Sequence, residues 1–196
     1  MILFREDNNS YVAYSAREKM FLADVELNIQ DALLPQNKIV SEVKGKDNCL
    51  LMVLDSFVSL PNDHVSRYAT DLFEGDLDIY KVKSQVMPNI KKGLVEAGLM
   101  NESDAYLKNT YVLAQNDEMF VFGGEGMEII VVEDVYTMGP GSKTSKITFG
   151  LFKHLPIKER LQKIGLAMES IAQAGRVFPI VLTDTKSMQS VVIDRP

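Results

Sequence analysis

Residues 119–142, "MFVFGGEGMEIIVVEDVYTMGPGS", decide the fold prediction for this chain. Two apolar runs rich in β-branched and aromatic residues are joined through "GGEG", and a third short run, "VYT", leads into two glycines two positions apart. Runs of this composition between glycine-rich turns are typical of β-strands. After Gly141 the sequence predicts a helix over residues 141–154. The stretch therefore predicts a series of strands, the last of which turns directly into a helix.

Further strands are predicted on both sides of this stretch. The chain opens with "ILF", the turn-rich "REDNNS" and "YVAYSA", which together predict a β-hairpin with Ser10 in its turn. The other predicted strands are residues 20–25, two within 37–54 around the turn "KGKDN", 110–115, 118–123, 127–133, and a closing hairpin of 178–184 and 190–194.

Three more helices are predicted from apolar residues that recur at helical spacing. The first begins at Asp63 and the second ends near Gly98, with apolar faces of Val65, Tyr68, Ala69, Leu72 and Phe73, and of Met87, Ile90, Leu94 and Val95. The most regular helix has Pro156 in its first turn and Gly175 as its stop. Its apolar face repeats at spacings of 4, 3, 4 and 3 through Ile157, Leu161, Ile164, Met168 and Ile171.

The order of these elements predicts the fold class. Strands, two helices, strands, two helices and strands follow one another, which differs from the strict alternation of a doubly wound parallel sheet. Helix pairs between hairpins instead predict an α+β protein in which antiparallel sheet is covered by helices. We find no internal repeat or linker, so a single domain over residues 1–196 is expected.

Composition excludes several classes of function. The formal charge of −6 argues against a nucleic-acid-binding protein, and no basic cluster suited to an anionic membrane is present. No apolar run reaches the roughly 18–20 residues of a membrane span, and the acidic N-terminal segment is unlike a signal peptide. The single cysteine, Cys49, cannot form an intramolecular disulfide, which fits a reducing cytoplasm. With only two histidines, neither a metal nor a cofactor is expected.

The individual motifs predict structural roles. A phosphate-binding loop would need a glycine at position 136, which is Tyr136, and no residue between Gly141 and its lysine, where Ser142 lies. We interpret Gly139 and Gly141 as a tight strand-to-helix turn. Cys49 lies in an apolar run and is expected to be buried and unreactive. His64 and His154 lie at helix ends without a triad partner, and Glu74, Asp76 and Asp78 are expected in a solvated loop.

With this order of elements, the chain resembles the proteasome β-subunit family, and in particular the bacterial HslV-type peptidase subunits. The segment "EDVYTMGPG" resembles the family stretch that leads through a glycine-serine-glycine turn into a helix. The segments "MILFREDNNSYVAYSARE" and "NKIVSEVKGKDNCLLMVLDSF" resemble its first hairpin and the following strands. The resemblance implies a four-layer αββα sandwich of two antiparallel sheets, as in N-terminal nucleophile (Ntn) hydrolases.

The resemblance also implies a site in which an N-terminal threonine attacks a peptide carbonyl and its own amine accepts the proton. In this chain the nucleophile position falls on Met1, whose thioether cannot attack a carbonyl, and the next residue, Ile2, leads us to expect that Met1 is retained. The supporting aspartate falls on Arg17, and the lysine is kept as Lys38. The oxyanion glycine falls near Asp55, whose carboxylate would repel an oxyanion, and the serine of the glycine turn falls on Pro140.

Two functions follow as expectations. The first is a proteasome-like pseudoenzyme without peptidase activity, a homo-oligomer that acts as a scaffold or binds a protein or peptide. The alternative is an amide or peptide hydrolase in which Ser15, Ser56, Ser142 or Cys49 acts near Lys38, because serine–lysine pairs are a known catalytic arrangement.

Overall fold

The computed structural model describes residues 1–15, 49–54, 75–107, 109–124, 128–139, 141–171, 176–187 and 189–196. These residues form an α+β structure with two antiparallel sheets, which confirms the predicted class. The strands are β1 (Ile2–Glu6), β2 (Asn9–Ser15), β3 (Cys49–Leu54), β4 (Thr110–Gln115), β5 (Glu118–Gly123), β6 (Ile130–Val131), β7 (Val135–Thr137), β8 (Ile180–Asp184) and β9 (Ser190–Ile193). The helices are α1 (residues 79–96), α2 (Ser142–Leu151) and α3 (Ile157–Ser170).

The chain divides into two compact units, each with one sheet. The first contains Met1–Pro35, Glu133–Asp184 and Gln189–Pro196, and the second contains Gln36–Val132 and Thr185–Met188. The first sheet has the strand order β7-β1-β2-β8-β9, and the second has the order β3-β4-β5-β6. The prediction of a single domain stays a prediction.

The first hairpin is tighter than its sequence suggests. The turn consists of Asp7 and Asn8 alone, at φ values of 52° and 56°, and the strand pairing continues to Glu6 opposite Asn9. Asp and Asn tolerate this left-handed conformation, which gives the twist that two-residue hairpins need. The predicted six-residue turn was therefore too long. Ser10 is buried inside β2 and does not lie in the turn.

The first unit packs its two helices on one face of its sheet. Ile2 and Phe4 of β1 belong to a core shared with α2 and α3, and the Phe4 ring lies 5.0 Å from the Phe149 ring. Leu3 and Val12, which alternate with these residues along the strands, are also fully buried. Both faces of this sheet therefore carry buried apolar side chains. The helical members of the core are Phe149, Leu161, Ile164 and Met168.

Among the described residues of this unit, Arg160 is the only charged residue that is buried. Its side chain is 1% exposed and forms a two-point ion pair with Glu6, with Nη1–Oε2 and Nη2–Oε1 distances of 2.5 and 3.1 Å. The same guanidinium donates to the carbonyls of Phe152, Lys153 and Leu155 beyond the end of α2. Because these carbonyls belong to the segment between α2 and α3, Arg160 holds that connection in place.

The second unit packs α1 on its own sheet. Val82, Val86 and Ile90 of α1 share a core with Tyr111 and Phe122, whose rings stack at 5.5 Å. The remaining strand members of this core are Leu51, Leu113 and Phe120. The intervening residues of the same strands, Leu50, Met52, Val112, Ala114, Met119 and Val121, are buried as well. This sheet also has apolar residues buried on both faces.

Several predicted boundaries were wrong. The second helix begins at residue 79, well before Met87, and it is a π-helix over Val82–Val86. Strand 127–133 is reduced to Ile130–Val131, and the helix predicted to end at residue 154 ends at Leu151.

The helix after Pro156 also differs at both ends. Pro156 is the N-cap of α3 and not a first-turn residue, and α3 ends at Ser170. Ile171, predicted on its buried face, is therefore 72% exposed just beyond the helix. The strand predicted at 20–25, the first strand within 37–54, the helix from Asp63 and the stop at Gly175 lie outside the described residues.

Candidate functional site

The structure brings Met1 next to the glycine turn that opens α2. The Met1 ammonium donates to the carbonyl of Met138 at 3.0 Å, and the Met138 amide donates back to the carbonyl of Met1 at 3.1 Å. These two bonds continue the antiparallel pairing of β1 with β7, in which Ile2 lies opposite Thr137. The Met1 residue is 9% exposed. The start of β1 and the turn of residues 138–142 are thus held in direct contact.

The turn itself is built by backbone conformation and two hydroxyls. Gly139 and Gly141 have φ values of 89° and 77°, a region that other residues rarely adopt. The Ser142 amide donates to the Gly139 carbonyl at 3.1 Å, and the Ser145 hydroxyl donates to the Gly141 carbonyl at 3.0 Å. Thr137 donates its hydroxyl to the Ser142 carbonyl at 2.9 Å. The predicted strand-to-helix turn is confirmed, with Gly141 as the N-cap.

The chemistry at this junction differs from that of an activated nucleophile. A hydroxyl or thiol that acts as a nucleophile needs a base within hydrogen-bond reach. Here the first side chain of the strand is a thioether, which carries no exchangeable proton. The neighbouring amino group donates to the Met138 carbonyl. Met1 and the turn therefore form a closed hydrogen-bonded junction.

The other positions that the family resemblance assigns to the site are Arg17, Lys38, Asp55 and Pro140. All four lie outside the described residues, so the structure places only Met1 and the two glycines on either side of Pro140. The residue roles proposed for them stay predictions.

The structure describes three of the four candidate replacement nucleophiles. Ser15 is buried at the end of β2, and its hydroxyl donates to the Val177 carbonyl at 2.6 Å. Ser142 is the first residue of α2, and Cys49 is the first residue of β3, in the other unit. Ser56 and Lys38 lie outside the described residues.

Two of the three acidic residues predicted in the solvated loop, Asp76 and Asp78, lie among the described residues. Asp78 accepts from the Lys81 amide at 2.7 Å and is the N-cap of α1, and Asp76 is exposed, as predicted for a solvated loop. Within the described ranges no group of histidine, cysteine, aspartate and glutamate is arranged to hold a metal ion. His154 is exposed and follows α2, whereas His64 and Glu74 fall outside the description.

One buried titratable group belongs to the second unit. Tyr111 of β4 is 1% exposed, and burial raises the pKa of its phenol to about 12, although the Asn109 side chain offsets part of the effect. Its ring belongs to the core of the second unit. We therefore assign Tyr111 a packing role.

Two contacts of these sites are missing from the sequence-based prediction. The pairing of Met1 with Met138 joins residues 137 positions apart, and the pairing of Arg160 with Glu6 joins residues 154 apart. A charged residue at position 160, between the apolar Ile157, Leu161 and Ile164, was the available signal for a buried arginine. The Met138 contact has no local signal because it depends on backbone atoms.

The described parts of the chain define an α+β protein with two antiparallel sheets, and no helix among them is long and apolar enough to cross a membrane. No family model matches the chain, and the comparison with curated proteins finds no match. Among solved structures, it is similar to Thiobacillus denitrificans BPH in complex with epoxomicin, with a TM-score of 0.61 and 12% identity over 100% of this chain and 98% of that one. It is also similar to Thiobacillus denitrificans BPH, with a TM-score of 0.59 and 14% identity, covering 100% of this chain and 97% of the other. At these identities the likeness is one of fold.

Proposed function

We propose that this chain is a proteasome- or HslV-like protein of the Ntn-hydrolase fold that has no peptidase activity by the family mechanism and acts as an oligomeric scaffold or binding module. The observation that carries the proposal is the junction at Met1. A thioether stands where the resemblance places the nucleophile, and the adjacent ammonium donates to the Met138 carbonyl. The chemistry that the family requires therefore has no attacking atom at this position.

The finer fold, a four-layer αββα sandwich, is part of the proposal. Each sheet has one face against helices, and apolar residues on its opposite face, such as Leu3 and Val112, are also buried. Inner sheets of a sandwich have this property, because one face meets a helical layer and the other meets a sheet.

A labelling experiment tests the loss of activity. BPH is known with epoxomicin bound, so epoxomicin and a general serine- and threonine-directed electrophile are suitable probes. The chain is incubated with each probe and its intact mass is measured, with BPH as the positive control for epoxomicin binding. We expect the mass to stay that of the unmodified chain, and epoxomicin to cause no shift in the melting temperature. A stoichiometric adduct on any residue would contradict the proposal.

The same samples test the alternative hydrolase. If an adduct forms, peptide mapping of the wild-type chain and of Ser15→Ala, Ser56→Ala, Ser142→Ala and Cys49→Ala identifies its position. Loss of the adduct in one variant and in Lys38→Met would support a relocated nucleophile that depends on Lys38. The absence of an adduct on the wild-type chain removes the reason for that alternative.

A further inference from the structure

The outer face of α2 has features that the fold of a single chain does not explain. Ile147 and Leu151 lie one turn apart on this helix and are 65% and 67% exposed. Lys143 and Lys146 are exposed beside them, and α2 contains no acidic residue although the whole chain has a net charge of −6. The face is thus basic at its beginning and apolar towards its end.

Gly150, on the same face, provides an independent observation. Glycine in the middle of a helix lowers helix stability relative to alanine, so it is usually retained where close packing requires it. A Cβ added at Gly150 would meet no atom of the described residues within 4 Å. In contrast, a Cβ at Gly165 of α3 would lie 2.4 Å from the Phe178 ring. Packing against Phe178 therefore explains why position 165 is a glycine. The glycine at position 150 instead suggests that another molecule packs closely against α2 there.

A segment of the second unit has the complementary pattern. Asp76 and Asp78 are exposed, and they are followed by Ile79 and Tyr80, which are 40% and 80% exposed. The segment of residues 76–80 is thus acidic at its beginning and apolar at its end. The segment is about 10 Å long, because its residues are extended up to Asp78 and helical after it. The part of α2 from Lys143 to Leu151 is about 12 Å long, so the two surfaces have similar lengths.

We propose that the outer face of α2 binds residues 76–80 of a second copy of this chain, with Lys143 and Lys146 facing Asp76 and Asp78, and Ile147 and Leu151 facing Ile79 and Tyr80. This inference rests on the proposed oligomeric function and names its interface. A contact between two α2 faces is disfavoured, because it would bring like charges together. The contact is heterologous, since two different surfaces of the chain meet.

Sedimentation of the full-length chain tests the interface. At micromolar protein and low salt, we expect a mass of two or more chains of 22.0 kDa, which decreases in 1 M salt because the ion pairs are screened. The double variant Lys143→Glu/Lys146→Glu and the variant Asp76→Lys should each sediment as single chains. Lys158→Glu, which changes an exposed lysine of α3, is the matched control and should keep the wild-type mass.

A mixing experiment identifies the occupant. The Asp76→Lys chain keeps the wild-type face of α2, and the Lys143→Glu/Lys146→Glu chain keeps the wild-type residues 76–80, so a mixture can form one wild-type contact. We expect the mixture to recover assemblies that neither variant forms alone. Circular dichroism, and melting temperatures in 1 M salt equal to those of the wild type, exclude misfolding. Ile147→Ser serves as a milder variant if the charge changes unfold the chain.

The outcomes separate the two proposals. A wild-type mass of one chain would overturn the oligomeric function and this interface together. An oligomeric wild type whose mass is unaffected by the α2 changes would overturn the interface alone. Loss of assembly in the α2 variant without recovery on mixing would overturn residues 76–80 as the bound segment.

Discussion

The guanidinium of Arg160 donates five hydrogen bonds within the described part of the first unit. It neutralises Glu6 and donates to three carbonyls after α2 while being 1% exposed. We expect Arg160→Met to lower the free energy of unfolding by about 3 kcal/mol, because Glu6 and the carbonyls lose their donors. Urea denaturation measures this change.

Arg195 is the control for this prediction. It also pairs with a glutamate, Glu169, at 3.5 Å, but its side chain is 66% exposed. Arg195→Met should change the free energy of unfolding by about 0.5 kcal/mol or less, because exposed ion pairs contribute little. Equal losses in the two variants would show that burial of Arg160 does not determine its contribution.

Two helical glycines give opposite predictions for the same substitution. Gly165→Ala places a methyl group against the Phe178 ring and should destabilise the fold by about 1–3 kcal/mol. Gly150→Ala enters open space and should stabilise the isolated chain by about 0.5–1 kcal/mol, because alanine favours the helix. Melting curves taken at high salt, where the proposed interface is weakened, compare the two. If both substitutions lowered the melting temperature, the conclusion that Gly165 is closely packed and Gly150 is not would be wrong.

At the scale of elements, the start of α1 depends on Asp78. Its carboxylate accepts from the Lys81 amide and so satisfies one of the donors that a helix leaves open at its first turn. Asp78→Ala should destabilise the second unit by about 1 kcal/mol, whereas Asp76→Ala, which changes an exposed carboxylate outside the cap, should have a smaller effect. Equilibrium unfolding of both variants at high salt provides the measurement, and equal effects would argue against the cap.

Elements with a clear apolar pattern were predictable from the sequence. β4, β5 and β8 lie within a residue or two of their predicted bounds, because alternation and turn residues are local. The beginning of α1 was missed since its exposed face contains Tyr80, Lys83 and Ser84, and since a π-helix does not follow the 3.6-residue period. The strand predicted at 127–133 was too long because, among the described residues 128–133, the ladder with β5 contains only Ile130 and Val131.

The candidate site was predictable only in its backbone. Gly139 and Gly141 indicated the turn, because glycine is the residue that adopts positive φ most readily. The contact between Met1 and Met138 could not be predicted, since it depends on the pairing of strands that are far apart in sequence. The registers of such pairs follow from packing of the whole sheet, which no local pattern records.

At the scale of the whole molecule, Tyr111 makes stability dependent on alkaline pH. Its pKa is about 12 in the folded chain and about 10 when exposed, so the folded state holds the proton more tightly. The stability from this group is complete below pH 10 and is lost as the pH rises through 12, by roughly 2–3 kcal/mol in total. The free energy of unfolding is measured between pH 10 and 12 for the wild type and for Tyr111→Phe. It should fall more steeply with pH in the wild type than in the variant.

Tyr80 is the matched control for this pH dependence, because it is 80% exposed. Tyr80→Phe should leave the slope of stability against pH unchanged at high salt. A wild-type slope that persists in Tyr111→Phe would assign the alkaline transition to other groups.

The strand order of the first sheet has a consequence for synthesis on the ribosome. β1 and β2 are made first, yet the strands that flank them, β7 and β8, follow only after residue 134. At about 5–20 residues per second, the early hairpin waits on the order of ten seconds with both of its edges uncovered. Exposed strand edges attract other chains, so this interval is when a nascent chain of this protein most needs a chaperone.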